Sequence, residues 1–304
     1  MERGAARVER PDPTGGAKTV ADVVTQVAAR LAPSLAGDAP REARELVAAA
    51  MGEPRFWPST AAAVVLDGET VARILAAADR RARGAPLAYA VGTAPFRHLT
   101  LAVDERVLIP RPETEYLIDV LRATPQWGRG GTAVDIGTGS GAIALALASE
   151  GTFDRIVATD VSADALVVAR ANALRCSSSL RATVVFRAGD ALAPLDDLAG
   201  AVDVLVSNPP YIAFAEAAEL PSSVRDWEPP QALTCPEDGM AVSRAIVAGG
   251  GRLLRPGALL AFETDARRAE RLADLVRADG AYEDVRVVRD LTGRDRFVLA
   301  TRRS

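Results

Sequence analysis

Asp135-Ile136-Gly137-Thr138-Gly139-Ser140-Gly141 lies between an apolar run, residues 132–136, and an Ala/Leu-rich stretch, residues 142–149, and it decides the fold class of this chain. The run before it reads as a buried strand and the stretch after it as a helix. Glycines at such a junction permit a tight turn and let a ligand approach the backbone. The unpaired N–H groups at the helix start favour an anionic group. The next strand pattern ends at Asp160, 19 residues beyond Gly141. A carboxylate there can accept hydrogen bonds from both hydroxyls of a ribose. Two cofactor classes fit, a nicotinamide dinucleotide and S-adenosylmethionine, because Gly137-x-Gly139-x-x-Ala142 also satisfies the looser dinucleotide pattern. Asp135 favours the second. An acid two residues before the first glycine is expected to face the ligand, and it suits a cationic amino-acid moiety better than a pyrophosphate. Asp190, after the third strand, is placed to meet an adenine amino group, with Ala191 beside it.

Outward from this loop, apolar strands alternate with helices. Strands are expected over residues 132–136, 155–159, 183–187, 202–206, 258–262, 285–288 and 297–300. Such alternation builds βαβ units on a mostly parallel sheet. Residues 290–295 are too few for a helical crossover, so the last two strands should pair antiparallel. The expected fold is α/β, Rossmann-like, with seven strands.

Upstream, residues 19–84 read as a small helical domain. Val20, Val23, Val24, Val27 and Leu31 recur at helical spacing, with Pro33 expected to end that helix. Two more helices are expected over residues 40–51, burying Leu46 and Val47, and 69–83, burying Ile74, Leu75 and Ala78. Residues 85–112 alternate at Leu99, Leu101 and Val103 and are rich in proline, which reads as a β-hairpin linker. Pro112 opens a helix whose first turn carries Glu113 and Glu115, favourably placed against the helix dipole. The remainder, residues 113–304, is the second domain. Residues 1–18 are polar and Gly/Pro-rich, and read as a disordered extension without the apolar core of a signal peptide.

Composition narrows the chemistry. Hydrophobic residues make up 49% and charged residues 25%, the balance of a soluble globular protein. The net charge of -4 gives no overall basic field toward nucleic acid. No apolar run is long enough for a membrane span. One histidine, His98, and two separated cysteines, Cys176 and Cys235, are a poor basis for a zinc site or a Ser-His-Asp triad. No metal is expected, the cysteines read as reduced thiols, and the location reads as cytoplasmic.

The fourth strand runs into Asn208-Pro209-Pro210-Tyr211. Consecutive prolines fix the backbone and donate no N–H. The Asn208 side-chain oxygen and a main-chain carbonyl can then accept two hydrogen bonds from one –NH2 group. Tyr211 offers a flat face to a planar amide or base. The tetrapeptide sits at the carboxyl end of a strand, where open α/β sheets bind ligands. An amide nitrogen is a weak nucleophile, and accepting hydrogen bonds from its N–H groups returns electron density to it. In-line alignment with a sulfonium methyl is worth on the order of 7–11 kcal/mol.

Several separated stretches resemble the release-factor glutamine methyltransferases, the HemK or PrmC family. Pro95-Phe96-Arg97 through Leu108-Ile109-Pro110-Arg111-Pro112-Glu113-Thr114-Glu115 is similar to the family's linker signature. Asp135 to Gly141 resembles its cofactor loop and Asn208 to Tyr211 its catalytic tetrapeptide. Val224-Arg225-Asp226-Trp227-Glu228-Pro229, Ala232-Leu233 and Asp238-Gly239-Met240 resemble the following substrate loop, and residues 290–296 the final hairpin. The resemblance implies a class I methyltransferase that uses S-adenosylmethionine. It implies transfer to the N5 amide of the glutamine in the Gly-Gly-Gln motif of class 1 peptide-chain release factors, which the helical domain would grip. It implies cofactor contacts at Gly137, Thr138, Gly139, Ser140, Gly141, Asp160 and Asn208. Asn208, Pro209, Pro210 and Tyr211 would hold the glutamine and catalyse transfer. A monomer without direct nucleic-acid binding is expected. Two positions depart from the pattern. Ala191 replaces a larger residue beside the adenine, leaving a backbone contact, and Glu263-Thr264-Asp265 replaces Glu-x-Gly, so no role is carried over there.

Three other enzyme activities compete. A ribosomal-protein glutamine methyltransferase usually reads Pro-Arg-Ser where this chain has Pro110-Arg111-Pro112. A DNA adenine-N6 methyltransferase should carry a basic target-recognition domain. A nicotinamide oxidoreductase would not need Asn208–Tyr211. A non-catalytic binding protein would not need the intact tetrapeptide either.

Overall fold

In the computed structural model, residues 17–304 are described, so the expected extension lies, up to residue 16, outside the described residues. The chain divides after Val91 into two compact units. In the first, helices α1 (Val20–Leu35), α2 (Ala39–Met51), α3 (Gly68–Ala82) and α4 (Leu87–Val91) surround one apolar core. Val20, Val23, Val27, Leu31, Leu46, Val47, Ile74 and Ala78 are buried there, while Val24 and Leu75 are only partly covered. Pro33 does not end α1; it lies in its last turn, where few ladder bonds remain to be lost. Asp67 caps α3 by accepting from the Thr70 N–H at 2.8 Å. Lys18 and Thr19 pair antiparallel with Leu66 and Val65, so Lys18, expected in the extension, pairs within the first unit.

The second unit opens with the hairpin β1 (Thr93–Phe96) and β2 (Leu99–Ala102). This hairpin is not a free linker: Phe96, Leu99 and Leu101 are buried against α5 (Pro112–Arg122) and α6 (Ala142–Glu150). Arg97, in a left-handed turn, grips the Glu150 carboxylate with two bonds and Asp119 with a third at 2.8 Å. Residues 87–91, also assigned to the linker by the sequence, form α4 and pack in the first unit.

The rest alternates: β3 (Thr132–Ile136), α6, β4 (Arg155–Asp160), α7 (Ala163–Arg175), β5 (Thr183–Ala188), β6 (Val202–Ser207), α8 (Ala241–Gly250), β7 (Leu254–Glu263), α9 (Ala269–Asp279), β8 (Tyr282–Arg289) and β9 (Asp295–Arg302). The seven strands form one sheet in the order β8-β9-β7-β6-β3-β4-β5. Only β9 runs antiparallel to its neighbours β7 and β8, as the short connection required. Both faces are covered, so alternate residues of a strand enter different cores. Ala133 joins one face and Val134 and Ile136 the other. Helix α6 is buried on every side, which accounts for its uniformly apolar sequence. The order reverses between β3 and β6, and this switch point opens the crevice of the site.

Candidate active site

Two adjoining cavities lie at the carboxyl ends of the parallel strands. The first is lined by Gly137 and Gly139 after β3, Asp160 ending β4, Gly189, Asp190 and Ala191 after β5, and Asn208 after β6. Ser207 donates to the Ile136 carbonyl at 2.8 Å, tying together the two strand ends that meet there. Gly137 and Gly139 have φ of 72° and 55°, and a Cβ on either would project into open space. Glycine is needed at both because the backbone is left-handed.

The loop is held from beneath by Asp135. Its Oδ2 accepts from the Thr138 hydroxyl at 2.6 Å and the Ala144 N–H at 3.1 Å. Asp135 is fully buried and is not among the residues lining the cavity, contrary to the sequence reading that it faces the ligand. Its other oxygen, Oδ1, is buried without a partner. Burial pushes this carboxyl up to about 7. Thr138, Ser140 and Gly141 also stay out of the cavity wall. Thr138 turns toward Asp135, and the Ser140 carbonyl accepts from Asn172 at 2.9 Å. A Cβ at Gly141 would crowd Leu145 and Ala169, so that glycine serves helix packing.

Asp160 accepts from the Gly139 N–H and the Ser162 N–H, each at 2.8 Å. Each carboxylate oxygen retains a lone pair for a further donor. Burial raises its pKa, and the Ser162 and Gly139 N–H groups oppose the rise. Ala191 has φ of 42°, rare for a residue with a side chain.

The second cavity is lined by Leu108, Arg111, Asn208, Pro209, Tyr211, Ile212, Leu220, Val224, Ala232 and Leu233. Leu108, Asn208 and Ala232 border both cavities. The Asn208 Nδ2 donates to the Thr114 hydroxyl at 3.2 Å, which leaves Oδ1 as its acceptor. The Pro210 carbonyl accepts from the Cys235 thiol at 3.0 Å. Among the described residues, none is seen donating to the Pro209 carbonyl. Burial pushes the Tyr211 hydroxyl up to about 12, so the ring is neutral and cannot serve as a base. The structure thus brings Asn208, Pro209 and Tyr211 together on one wall, with Pro210 turned to the first cavity.

Residues after the tetrapeptide form a cover of short turns. Residues 212–213 pair with residues 234–235, and Glu237, Asp238 and Gly239 are all left-handed. A Cβ on Gly239 would lie 2.1 Å from the Tyr211 carbonyl oxygen, so only glycine fits. Buried Arg268 joins this cover, donating to the Asp238 carbonyl at 2.7 Å and to the Glu216 and Asp265 carboxylates. Glu228 ties the cover to the loop before α5, accepting from the Ile109 N–H at 3.2 Å and from Arg111.

Sequence reasoning missed several of these supports. Asn172 binds both backbone groups of Ala102 and the Ser140 carbonyl, joining the hairpin to the glycine loop. Its signal was a polar residue on the apolar stripe of α7. Thr114, which accepts from Asn208, gave no signal beyond lying in a family-like stretch. Both cysteines are free and buried. Among the described residues no cluster of three or more metal-binding side chains occurs.

Comparison with known proteins gives a consistent picture. Residues 22–92 match the PrmC N-terminal domain, and residues 112–220 match the Methyltransferase small domain. The release factor glutamine methyltransferase of Cereibacter sphaeroides is 39% identical over 280 residues, covering 92% of this chain and 97% of that protein. Its namesake from Mycolicibacterium smegmatis is 45% identical, covering 78% of this chain and 82% of its own. The one from Moorella thermoacetica is 44% identical, covering 76% and 80%. A methyltransferase of Pyrococcus furiosus shares the fold, with a TM-score of 0.51 at 18% identity over 78% of this chain and 100% of that one.

Proposed function

Because this chain belongs to the release factor glutamine methyltransferases, we propose that it methylates the N5 amide nitrogen of the glutamine in the Gly-Gly-Gln motif of class 1 release factors. S-adenosylmethionine is the methyl donor. The first cavity fits it: two open glycines let the cofactor come close to the backbone, and Asp160 offers acceptors to a ribose. Gly137, Gly139, Asp160, Asp190 and Ala191 would hold the donor, which supplies an electrophilic methyl on a sulfonium. Thr138, Ser140 and Gly141 shape the loop from behind.

The observation that supports the reaction most is the position of Asn208 in the walls of both cavities. An amide nitrogen in the second cavity would donate one N–H to Asn208 Oδ1 and the other to the Pro209 carbonyl. Two acceptors aim the nitrogen lone pair at the first cavity and raise its nucleophilicity. Tyr211 lies flat against the amide. The alkylated nitrogen is strongly acidic, so no tuned base is needed.

The helical unit grips the release factor, and the enzyme acts as a cytoplasmic monomer. No described helix is long and apolar enough to cross a membrane. The test offers a labelled methyl donor together with purified release factor, a ribosomal fraction and duplex DNA in parallel. Mass spectrometry then locates the modified atom. Label on the release-factor glutamine is expected; label in DNA alone sinks the proposal.

A further inference from the structure

The glutamine of a Gly-Gly-Gln motif follows two glycines, which offer no side chain to recognise. What they do carry is main-chain carbonyls, and a carbonyl taken out of water needs a donor. The acceptors of the second cavity cannot serve: Asn208 Oδ1 and the Pro209 carbonyl are assigned to the two N–H groups of the glutamine amide. The lining of that cavity is apolar except for Arg111, Asn208 and Tyr211, and Arg111 is the one charged residue in it.

Arg111 is held from two directions. It stands between Pro110 and Pro112, with an extended backbone, φ −103° and ψ 149°, as a following proline favours. Its side chain, 32% exposed, is pinned at one nitrogen, Nη2, which donates to Oε1 of the buried Glu228 carboxylate. The two-pronged pairing common between a guanidinium and a carboxylate does not form here. Glu228 Oε2 instead accepts from the Ile109 N–H at 3.2 Å. A guanidinium has five N–H donors, and Nε and Nη1 of Arg111 have no described bond. A cation is thus fixed in the wall of the acceptor cavity with donors to spare.

We propose that Arg111 is a substrate-binding and specificity-determining residue: its remaining N–H groups donate to main-chain carbonyls of the glycines beside the acceptor glutamine, and Glu228 holds the guanidinium in place for them. This rests on the reading that the second cavity takes the glutamine side chain of that motif. Arg111 exchanges no proton with substrate; it binds the chain that carries the reacting amide.

The experiment uses the full chain with purified release factor, and reads kcat, KM for the release factor, calorimetric affinity for S-adenosylmethionine and the thermal unfolding midpoint. Arg111→Met keeps the apolar stem and removes the donors. Loss of hydrogen bonds from a charged donor has about a 10- to 100-fold effect and partial exposure places this one at the lower end, so KM should rise about tenfold, with kcat and cofactor affinity within about threefold of wild type. Arg111→Lys keeps a charge but not the planar fork, so it should recover only part of the loss. Glu228→Gln removes the charge pair yet leaves an amide oxygen for the Ile109 N–H, and should raise KM by no more than about threefold. An Arg111 that merely holds the cover through Glu228 predicts equal losses in Arg111→Met and Glu228→Gln, with matching falls in the unfolding midpoint; that result overturns the proposal. A wild-type KM in Arg111→Met overturns it as well. Near-normal turnover in Asn208→Ala instead brings down the reading beneath it. Should Arg111→Met fail to fold, Arg111→Lys decides: a raised KM with retained cofactor affinity supports the proposal, and an unchanged KM overturns it.

Discussion

The glycine loop and the Asn-Pro-Pro-Tyr corner follow adjacent strands, β3 and β6, yet they are built in opposite ways. The loop is largely self-contained. Asp135, Thr138 and Ala144 bond one another within ten residues, and the main outside supports are Asp160 and Asn172. The corner carries little structure of its own. Its prolines are rigid, but Asn208 is held by Thr114, the Pro210 carbonyl by Cys235, and the Tyr211 carbonyl is pressed by Gly239. A site for a mobile cofactor needs a cradle; a site for aligning one amide needs several fixed walls. Damage on the loop side should therefore appear in affinity, and damage on the corner side in turnover.

The most severe test of that division is Asn208→Ala. Loss of an acceptor aimed at the reacting nitrogen should lower kcat by about 10²–10³-fold or more, with cofactor affinity reduced far less. Rapid-quench transfer beside calorimetry would measure both. If affinity collapsed in parallel, the two regions would not be separable.

Asp160→Ala probes the loop side. Removing a buried charged acceptor costs about 1.5–3 kcal/mol, so cofactor affinity should weaken by about 10- to 100-fold while kcat at saturation stays close to wild type. Unchanged affinity in calorimetry would remove the ribose assignment.

A smaller effect should follow from pH. Burial holds the Asp135 carboxyl near 7, well above its ordinary value. Its folded pKa is raised, so the protonated form is the one folding favours, and this stabilisation is lost as pH climbs through about 7. Stability should thus fall between about pH 5.5 and 7.5, and Asp135→Asn should flatten the fall. Thermal unfolding across that range tests it; an equal slope in the variant would detach the dependence from Asp135.

The mildest change is Cys235→Ala. A thiol-to-carbonyl bond is a weak contact, so kcat should fall by no more than about threefold, with loop-side affinity untouched. A larger loss of turnover would mean that the corner depends on each of its walls.

Most of the fold was legible because strands buried on both faces leave continuous apolar runs, and the seven expected strands all formed. Extents were harder. Strand β7 begins at Leu254 rather than residue 258, and α1 runs through Pro33, since packing of the helical core outweighs a single lost bond. Residues 85–91 looked like linker because Pro86 and the flanking Gly84 and Gly92 conceal one turn of apolar helix. The cover over residues 212–240 had no readable periodicity, because its short turns are fixed from distant positions by Arg268 and Arg111, and by Gly239 within it. Asp135 was rightly singled out but wrongly aimed: a strand-end acid beneath a tight turn is captured by the nearest N–H and hydroxyl donors.

By itself the sequence determined the alternation of strands and helices, the glycine turn and the rigidity of the proline corner. Each of these follows from local steric and apolar pattern. Only the tertiary structure decided which cavity walls coincide at Asn208 and that Thr114 meets its side chain. Those outcomes depend on tertiary packing, which brings residues 114 and 208 together across 94 positions of chain. No local pattern encodes a hydrogen bond whose partner lies on a distant element.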